Sequence, residues 1–234
     1  MVKAAAGGGG KGMRLLTSVD ELEQAIQSAQ SEAQRSFGDP RLVVERAVLR
    51  ARHIEVQILG DHHGRRVHLG ERDCSLQRRH QKIVEESPAA DLDGTLCLKL
   101  YDAALRLAAA VDYRNAGTVE FLVAGDEYFF LEMNTRLQVE HPVTEAVTGL
   151  DLVEWQLRVA QGEPLPWEEV WRKGHALEVR LYAEGADFFP STGRVLLWQP
   201  PGEVRVECGL RSGDQIGPYY DPMVAKLISC GETR

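Results

Sequence analysis

Apolar residues recur every three or four positions in three stretches of the chain, which is the spacing of one face of a helix. The first stretch follows the capping-box sequence Ser18-Val19-Asp20-Glu21 and runs to about Ser36. The second spans residues 96–111, and the third follows Asp151, which can cap a helix, and stops at Gly162. The pattern therefore predicts three helices.

Alternation of polar and apolar residues predicts strands between and after these helices. From His175 onward the pattern becomes mostly β, with proline and glycine turns. The strands predicted before it are residues 42–44, residues 53–58, a strand through Val67 and Leu69, and residues 117–124 and 128–134. The last two flank a predicted three-residue loop, Gly125 to Glu127.

Residues 72–90 follow neither pattern and hold the densest charge in the chain. We expect a loop there, and a charged loop of this length is a candidate for function. Its segment Arg78-Arg79-His80-Gln81-Lys82 is either an exposed basic loop or a site for an anion. The anion site is favoured because the chain as a whole is acidic, with a formal net charge of -8.

Composition and charge narrow the class of protein. Of 234 residues, 44% are hydrophobic and 26% charged, a balance typical of a globular protein with a substantial core. The net negative charge repels phosphate backbones and anionic lipids, so we expect neither a nucleic acid nor a membrane partner. No run of 18 apolar residues and no secretory signal pattern occurs, which favours a cytoplasmic protein. The four cysteines form no CxxC pair and indicate neither a zinc site nor a disulfide framework.

A run of glycines, Gly7 to Gly12 interrupted only by Lys11, formally contains the GxGxxG pattern. The backbone N–H groups of such a run can approach a phosphate closely because glycine has no Cβ. The run is not a Walker loop, since glycine and not serine or threonine follows Lys11. A flexible linker explains the glycines equally well, but Lys3 and Lys11 place cations beside them and favour a phosphate.

The predicted hairpin carries two acids. If its loop is three residues long, Glu120 lies opposite Glu132, and Asn134 shares their face. Opposed carboxylates on a half-buried sheet are costly without a cation, and such oxygen ligands suit Mg²⁺ bound together with nucleotide phosphates. The alternative is that both glutamates face water on an ordinary hairpin. The adjoining Asn134-Thr135-Arg136 favours the metal.

A short polar segment follows the hairpin. It combines a cation fork, a neutral amide and a carboxylate able to act as a base, which would fit a small planar anion. A surface salt-bridge cluster is the alternative. The residues of the segment are Arg136, Gln138, Glu140 and His141.

Glu178 and Arg180 lie in the later β segment and alternate with Leu177, Val179 and Leu181. This alternation predicts that the two charged residues share the polar face of one strand. Cross-strand pairing is the alternative to a functional role.

Four long motifs, in order along the chain, resemble those of the biotin carboxylase family. Two further motifs, residues 174–180 and 219–227, extend the resemblance over the whole chain. Within the family, the biotin-containing subunits of methylcrotonyl-CoA and propionyl-CoA carboxylases are the most similar. The four long motifs are Lys3 to Arg14, Arg52 to Gln57, Glu71 to Lys82 and Glu132 to Glu145.

The resemblance implies an α+β ATP-grasp fold, in which a mobile lid lowers a glycine-rich loop over the nucleotide. It implies a lid subdomain at 1–68, an antiparallel-sheet lobe for metal and bicarbonate at 69–170, and a partial β-rich biotin carboxylase C-terminal domain at 171–234. Chains of this family ordinarily begin with an α/β domain before the glycine loop and continue past the last residue here. We therefore expect an incomplete fragment with low or no activity on its own.

The resemblance also implies binding sites for ATP and for Mg²⁺ or Mn²⁺. The residues implied for the nucleotide are Lys3, Gly8, Gly9 and Gly10 at the phosphates, Glu45 and the backbone of Arg46 and Val48 at adenine, and His53, Gln77 and His80. The residues implied for the metal are Glu120, Glu132 and Asn134.

The implied reaction takes bicarbonate as substrate and biotin as the carboxyl acceptor, through carboxyphosphate and CO₂. Glu140 would remove the proton of bicarbonate, and Arg180 would stabilise the biotin enolate. The residues implied to position bicarbonate are Lys82, Arg136, Gln138 and Val139. The implied partners are a biotin carboxyl carrier domain, a carboxyltransferase subunit and, in a full-length protein, a second copy or a larger complex.

Two other functions stay open at this point. One is an ATP-grasp carboxylate–amine ligase outside the biotin group, for which Arg180 and the segment Gln77 to Lys82 are the discriminating features. The other is a non-catalytic remnant that serves as an interaction surface.

Overall fold

The computed structural model describes residues 1–7 and 12–234. The chain divides into two compact units. The first contains Met1–Ala51 and Gln77–Lys82, and the second contains Arg52–Leu76 and Ile83–Arg234.

The first unit is built on one helix and a two-stranded sheet. β1 (Val2–Ala4) pairs antiparallel with β2 (Leu42–Val44), and α1 (Leu22–Phe37) packs against both strands. The Ser18 hydroxyl accepts a backbone N–H in the short 3₁₀ turn before α1. Gly38 ends the helix in the left-handed conformation, with φ 72°. The first predicted helix is confirmed, but Ser18 caps the 3₁₀ turn before it, and Glu21, the N-cap residue of α1, makes no side-chain capping bond.

An eight-stranded sheet is the framework of the second unit. Its strands are β3 (Arg52–Gly60), β4 (Arg66–Arg78), β5 (Gln81–Ser87), β6 (Asn115–Ala124), β7 (Glu127–Asn134), β8 (His175–Tyr182), β10 (Arg205–Cys208) and β12 (Met223–Gly231). Their order across the sheet is β10-β12-β8-β5-β4-β3-β6-β7. The adjoining ends of β4 and β5 belong to the first unit. β9 (Gly193–Arg194) and β11 (Gln215–Ile216) form a separate antiparallel pair.

Three helices pack against this sheet. α2 (Gly94–Ala110) lies against β3 and β6, and α4 (Leu152–Ala160) begins at Asp151, whose carboxylate accepts a backbone N–H of the first turn. α3 (His141–Thr148) contacts β8 and β12. The second and third predicted helices are confirmed, whereas α3 was not predicted. It has only eight residues, carries Pro142 in its first turn and buries the polar residues His141, Thr144 and Glu145, so the sequence shows no long repeat of apolar positions.

The loop expected over residues 72–90 is wrong, because much of it forms the end of β4 and all of β5. Charged residues occupy positions that are normally apolar in a buried strand, and this hides the alternation. Glu71, Arg72 and Glu85 are each 2% exposed or less, and an opposite charge contacts each of them. Buried ion pairs therefore replaced the hydrophobic signal of these strands.

The structure bears on two points raised by the composition, namely membrane-spanning helices and the four cysteines. Among the described residues, no helix combines the length and the apolar character needed to cross a membrane. All four cysteines are free thiols, and Cys74 is buried.

Candidate functional site

The β6–β7 hairpin brings Glu120 and Glu132 into direct register. The connecting turn holds two residues and not the predicted three, because Ala124 pairs with Glu127. A β-bulge at Leu131 then adds one residue to β7 and restores the predicted pairing further along the strand. The predicted loop length is wrong, and the predicted opposition of the two acids is confirmed.

Glu120 is the centre of a polar cluster. Its side chain is buried, and its Oε1 accepts hydrogen bonds from Asn134 Nδ2 and Gln138 Nε2, each at 2.9 Å. His53 Nε2 lies 2.8 Å from the other carboxylate oxygen. Three side chains from separate segments thus fix the orientation of one carboxylate. The structure brings together four residues that the sequence analysis singled out.

Glu132 and Asn134 complete the face on which a cation would bind. Glu132 is exposed, lies opposite Glu120 and shares its side of the sheet with Asn134, two residues further on. Two carboxylates and an amide oxygen are the ligands that Mg²⁺ prefers, and the exposed Glu132 leaves room for nucleotide phosphates as additional ligands. The donor set of this hairpin therefore fits a magnesium ion.

The segment after β7 supplies further polar groups at this end of the hairpin. Arg136 is exposed, and its Nη2 donates to Asn134 Oδ1 at 3.4 Å. Gln138 is buried, and the carbonyl of Val139 accepts a hydrogen bond from Lys226 Nζ at 2.7 Å. The segment that directly follows β7 thus carries the guanidinium of Arg136, the side-chain amide of Gln138 and the main-chain carbonyl of Val139.

Glu140 and Arg180 contact each other. Glu140 is the N-cap residue of α3 and is 2% exposed, a position where the helix dipole favours a negative charge. Arg180 Nη2 donates to Glu140 Oε2 at 3.1 Å, and its Nε donates to Glu85 Oε1 at 2.7 Å. Burial lowers the pKa of Arg180, but the charges of Glu85 and Glu140 outweigh burial and raise its pKa above the ordinary value. Arg180 is therefore a permanent cation between two acids.

Glu178 and Arg180 share one face of β8, as the alternation predicted, but this polar face is the more buried one. Glu178 is 0% exposed, whereas Leu177 and Leu181 are each 40% exposed. The reason is that α3 packs over the polar face of the strand. An alternation pattern reports which residues share a face and does not report which face is covered.

Arg72 belongs to this polar cluster, although the sequence patterns did not single it out. It is fully buried and lies in register with Glu55 on β3, which in turn lies in register with Glu120 on β6. Burial lowers the pKa of Arg72, but the charges of Glu55 and Glu140 raise its pKa above the ordinary value. Its guanidinium donates to Glu55 Oε1 at 2.5 Å, Gln57 Oε1 at 2.8 Å, Thr144 Oγ1 at 2.9 Å, Gln138 Oε1 at 3.1 Å and Thr118 Oγ1 at 3.2 Å.

The sequence patterns did not place Arg72 opposite Glu55. A β3–β4 turn at residues 60–64 would put residue 69 opposite residue 55, whereas in the structure Gly60 pairs with Arg66 and a register shift between Val56 and Ile58 brings Arg72 opposite Glu55. The expectation of a loop beginning at residue 72 removed this position from consideration.

The first unit holds the remaining predicted residues. Lys3 Nζ lies 2.7 Å from Glu45 Oε1, so the lysine implied for phosphate and the glutamate implied for adenine are in contact. Arg46 and Val48 follow β2 in the chain. Gln77, His80 and Lys82 lie at the end of β4, in the following turn and at the start of β5. Gly8, Gly9 and Gly10 lie outside the described residues.

Two protein-family models match this chain and identify its class. The family model described as "Carbamoyl-phosphate synthase L chain, ATP binding domain" matches residues 1–168, and the model described as "Biotin carboxylase C-terminal domain" matches residues 178–234. Together with the helices and the antiparallel sheet described above, these matches define an ATP-grasp protein. The chain belongs to the biotin carboxylase family.

Individual relatives agree with this assignment. The methylcrotonoyl-CoA carboxylase subunit alpha, mitochondrial, of Rattus norvegicus is 53% identical over 97% of this chain and 33% of that protein. The biotin carboxylase of Halalkalibacterium halodurans is 54% identical over 100% of this chain and 53% of that protein. The chain thus spans a third to about half of the length of these relatives.

Solved structures show the same fold. A biotin carboxylase–beta-gamma-ATP complex from Campylobacter jejuni has a TM-score of 0.96 and 46% identity, over 100% of this chain and 53% of that chain. The biotin carboxylase domain dimer of Hydrogenobacter thermophilus 2-oxoglutarate carboxylase, in complex with MgADP, ADP and bicarbonate, has a TM-score of 0.94 and 41% identity, over 99% of this chain and 53% of that chain. The predicted ATP-grasp fold and the predicted family are confirmed.

Proposed function

We propose that this chain supplies the ATP-grasp part of a biotin carboxylase, which uses ATP and bicarbonate to carboxylate biotin on a carrier protein. The observation that carries the proposal is the opposition of Glu120 and Glu132, with Asn134 and Gln138 hydrogen-bonded around Glu120. This arrangement offers oxygen ligands for a divalent cation next to groups that can hold a small anion. The solved relative from Hydrogenobacter thermophilus, in complex with MgADP, ADP and bicarbonate, supports the same assignment.

We assign the nucleotide and the metal to the residues implied by the family. Mg²⁺ or Mn²⁺, held by Glu120, Glu132 and Asn134, would neutralise negative charge on the phosphates. The residues assigned to ATP are Lys3, Gly8, Gly9, Gly10, Glu45, Arg46, Val48, His53, Gln77 and His80. Among them, His53 is already oriented by its contact with Glu120, and Lys3 by its contact with Glu45.

Bicarbonate is assigned to Lys82, Arg136, Gln138 and Val139. Glu140 accepts the bicarbonate proton, so that the carbonate oxygen can attack the γ-phosphate and form carboxyphosphate with release of ADP. Carboxyphosphate then gives phosphate and CO₂, the phosphate takes the proton of the biotin ring nitrogen, and this nitrogen captures the CO₂. Arg180 donates hydrogen bonds to the developing enolate oxygen of biotin. Such a reaction depends on alignment and charge stabilisation, and no protein nucleophile is needed.

We also propose the subdomains of the chain, its partner proteins and its location in the cell. We assign residues 1–68 to a lid subdomain, 69–170 to the metal and bicarbonate lobe and 171–234 to part of the C-terminal domain. A biotin carboxyl carrier domain would present biotin, and a carboxyltransferase subunit would accept the carboxyl group. We also propose a cytoplasmic location, although the rat relative is named as mitochondrial.

The test is ATP cleavage by this chain with bicarbonate and free biotin, beside calorimetry with MgATP. We expect MgATP to bind and ADP to form slowly, with stimulation by bicarbonate and biotin and none by amine or other carboxylate acceptors. Glu140→Gln should abolish the stimulation, whereas Glu154→Gln, an exposed change on α4, should leave it intact. Stimulation by amine acceptors would point to a different ATP-grasp ligase, and no MgATP binding would point to a non-catalytic remnant.

A further inference from the structure

Two buried glutamates lie directly opposite each other beside Arg180. Glu85 on β5 pairs in register with Glu178 on β8, so their side chains are neighbours on one face of the sheet. Both side chains are 0% exposed. Within the described part of the chain, Glu85 Oε2 and both carboxyl oxygens of Glu178 have no hydrogen-bond partner. Two negative charges at adjacent buried positions would be strongly unfavourable.

Few charges are available to compensate this pair. Among the described residues, the cation in contact with it is Arg180, whose Nε lies 2.7 Å from Glu85 Oε1 and which also binds Glu140. Lys226 faces the pair from β12, but its Nζ binds Glu207 Oε2 and the carbonyl of Val139, each at 2.7 Å. The charged groups that act on the two acids are Arg180 on β8, Lys226 on β12, Glu140 at the start of α3 and Glu55 on β3.

We propose that Glu178 is held as a neutral carboxylic acid opposite an ionised Glu85, and that it positions Arg180 by leaving a single negative charge against the guanidinium. The inference rests on the proposed function, in which Arg180 acts on biotin. A neutral Glu178 can donate its O–H to the unpartnered Oε2 of Glu85. Glu85 Oε1 then stays available to the Nε and Nη2 of Arg180, and Nη2 stays directed at Glu140.

The electrostatic environment agrees with this division of roles. Burial raises the pKa of Glu178 to about 8, against the opposing charge of Lys226. Burial raises the pKa of Glu85 to about 7, against the opposing charge of Arg180. Because Arg180 contacts Glu85, and both carboxyl oxygens of Glu178 lack a hydrogen-bond partner among the described residues, the negative charge is favoured on Glu85 and the proton on Glu178. Both acids are positioning residues, because they act on the reaction through Arg180.

The first test compares melting temperatures of three proteins across the pH range. A pKa that is raised in the folded state means that the folded chain binds more protons than the unfolded chain above about pH 4.5, so stability falls as the pH rises from about 5 to about 8. Glu178→Gln keeps the shape and the donor of the neutral acid and cannot ionise. We expect its Tm to decline less than that of the wild type over this range.

The matched control is Glu86→Gln, which lies next to Glu85 on β5 and contacts Arg234 at 3.3 Å. Its Tm should follow the wild-type dependence on pH. If Glu178→Gln also follows the wild type, no proton is held at Glu178 and the proposal is overturned. An infrared difference spectrum between the wild type and Glu178→Gln near pH 7 should also show the carbonyl band of a protonated acid, and its absence would contradict the proposal.

The second test measures the position of Arg180 through hydrogen exchange at its Nε–H, with the resonance assigned by its loss in Arg180→Lys. Glu85→Gln removes the charged acceptor, so exchange should become faster by at least about tenfold. Glu178→Gln should retain slow exchange. Equal rates in Glu85→Gln and the wild type would show that Glu85 does not hold Arg180. Neither test requires turnover, so a failure of the chain to bind MgATP would contradict the proposed function and not this pair.

Discussion

Arg72 donates a hydrogen bond from its Nη2 to Oε1 of Gln138 at 3.1 Å, although the two residues are 66 positions apart. This contact fixes which end of the Gln138 amide is the donor, because its oxygen faces the guanidinium. Gln138 Nε2 therefore faces Glu120 and donates to it at 2.9 Å. A fully buried cation thus orients the amide that orients the carboxylate assigned to the metal.

Arg72→Met should strongly destabilise the protein. The change removes the cation that contacts the 0% exposed carboxylate of Glu55, and it removes donors to four other side chains. Breaking a buried ion pair in this way costs about 3–5 kcal/mol. Urea unfolding should show a correspondingly lower free energy of unfolding.

Arg106→Met is the control for this measurement. Arg106 forms an exposed pair with Asp102 one helical turn away, and such pairs contribute little to stability. Its unfolding midpoint should match that of the wild type. If Arg72→Met unfolded at the same urea concentration as Arg106→Met, the buried network would not contribute to stability as the contacts imply.

Glu132→Gln should weaken binding of ATP in the presence of Mg²⁺. The residue is exposed, so the change should leave the fold intact while it removes one charge from the assigned metal ligands. Losses of about 10- to 100-fold are typical even for residues that only orient metal ligands, and we expect at least this effect. Calorimetry with MgATP measures the change.

Glu127→Gln provides the matched control, since Glu127 is an exposed residue at the other end of β7. Its affinity for MgATP should equal that of the wild type. The two variants should bind ATP alike once EDTA removes the metal. Equal MgATP affinities of Glu132→Gln and Glu127→Gln would remove Glu132 from the metal site.

The acid pair of the hairpin could be predicted from the sequence, but the reason given for it was partly wrong. Two-residue alternation and an assumed three-residue loop placed Glu120 opposite Glu132. The structure has a two-residue turn and a bulge at Leu131, and the bulge compensates for the shorter turn. Bulges depend on backbone conformation that the side-chain pattern does not specify, so agreement at one pair does not establish a register along the whole hairpin.

The sequence patterns did not show which polar faces of the sheet are covered. The covered face of β8 carries Glu178 and Arg180, and the interior of β4 carries Arg72. Their burial depends on partners that are distant in sequence, such as Glu85 for Arg180 and Glu55 for Arg72. The long amphipathic helices were predicted because their signal is local, whereas these ion pairs exist only in the folded sheet.

Asp61→Asn should reduce stability at neutral pH and have a smaller effect in acid. Asp61 is 1% exposed and accepts backbone N–H groups from three residues: Leu165 at 2.9 Å, Arg65 at 2.9 Å and His63 at 2.8 Å. Burial raises the pKa of Asp61, but these hydrogen bonds outweigh burial and lower its pKa below the ordinary 3.8.

A lowered pKa means that the stabilising charge is fully present above about pH 4 and is lost as the pH falls through the folded-state value. Asp61→Asn should therefore cost about 1–3 kcal/mol near pH 7, because an amide cannot accept all three bonds. The difference from the wild type should shrink on acidification. Asp126→Asn, at the turn of the β6–β7 hairpin, should show no such dependence. A constant difference at every pH would contradict a role for the Asp61 charge.

Glu71 and Arg172 should be energetically coupled, because Arg172 anchors the segment before β8 to the sheet. Arg172 Nη1 lies 2.6 Å from Glu71 Oε2, and its Nη2 donates to the Tyr101 hydroxyl at 2.7 Å. Glu71 is 2% exposed, and its other carboxylate oxygen accepts the Ala89 N–H at 3.1 Å. Arg172→Met should cost about 2–3 kcal/mol, since it leaves this buried carboxylate without its cation.

A double-mutant cycle distinguishes this coupling from general damage to the fold. Glu71→Gln removes the charge that Arg172→Met leaves unpaired, so the double variant should be more stable than the sum of the single effects predicts, by about 1–2 kcal/mol. The same cycle on the exposed pair Glu154 and Arg158 should give much weaker coupling. Strictly additive losses for Glu71→Gln and Arg172→Met, measured by urea unfolding, would show that the two charges do not stabilise each other.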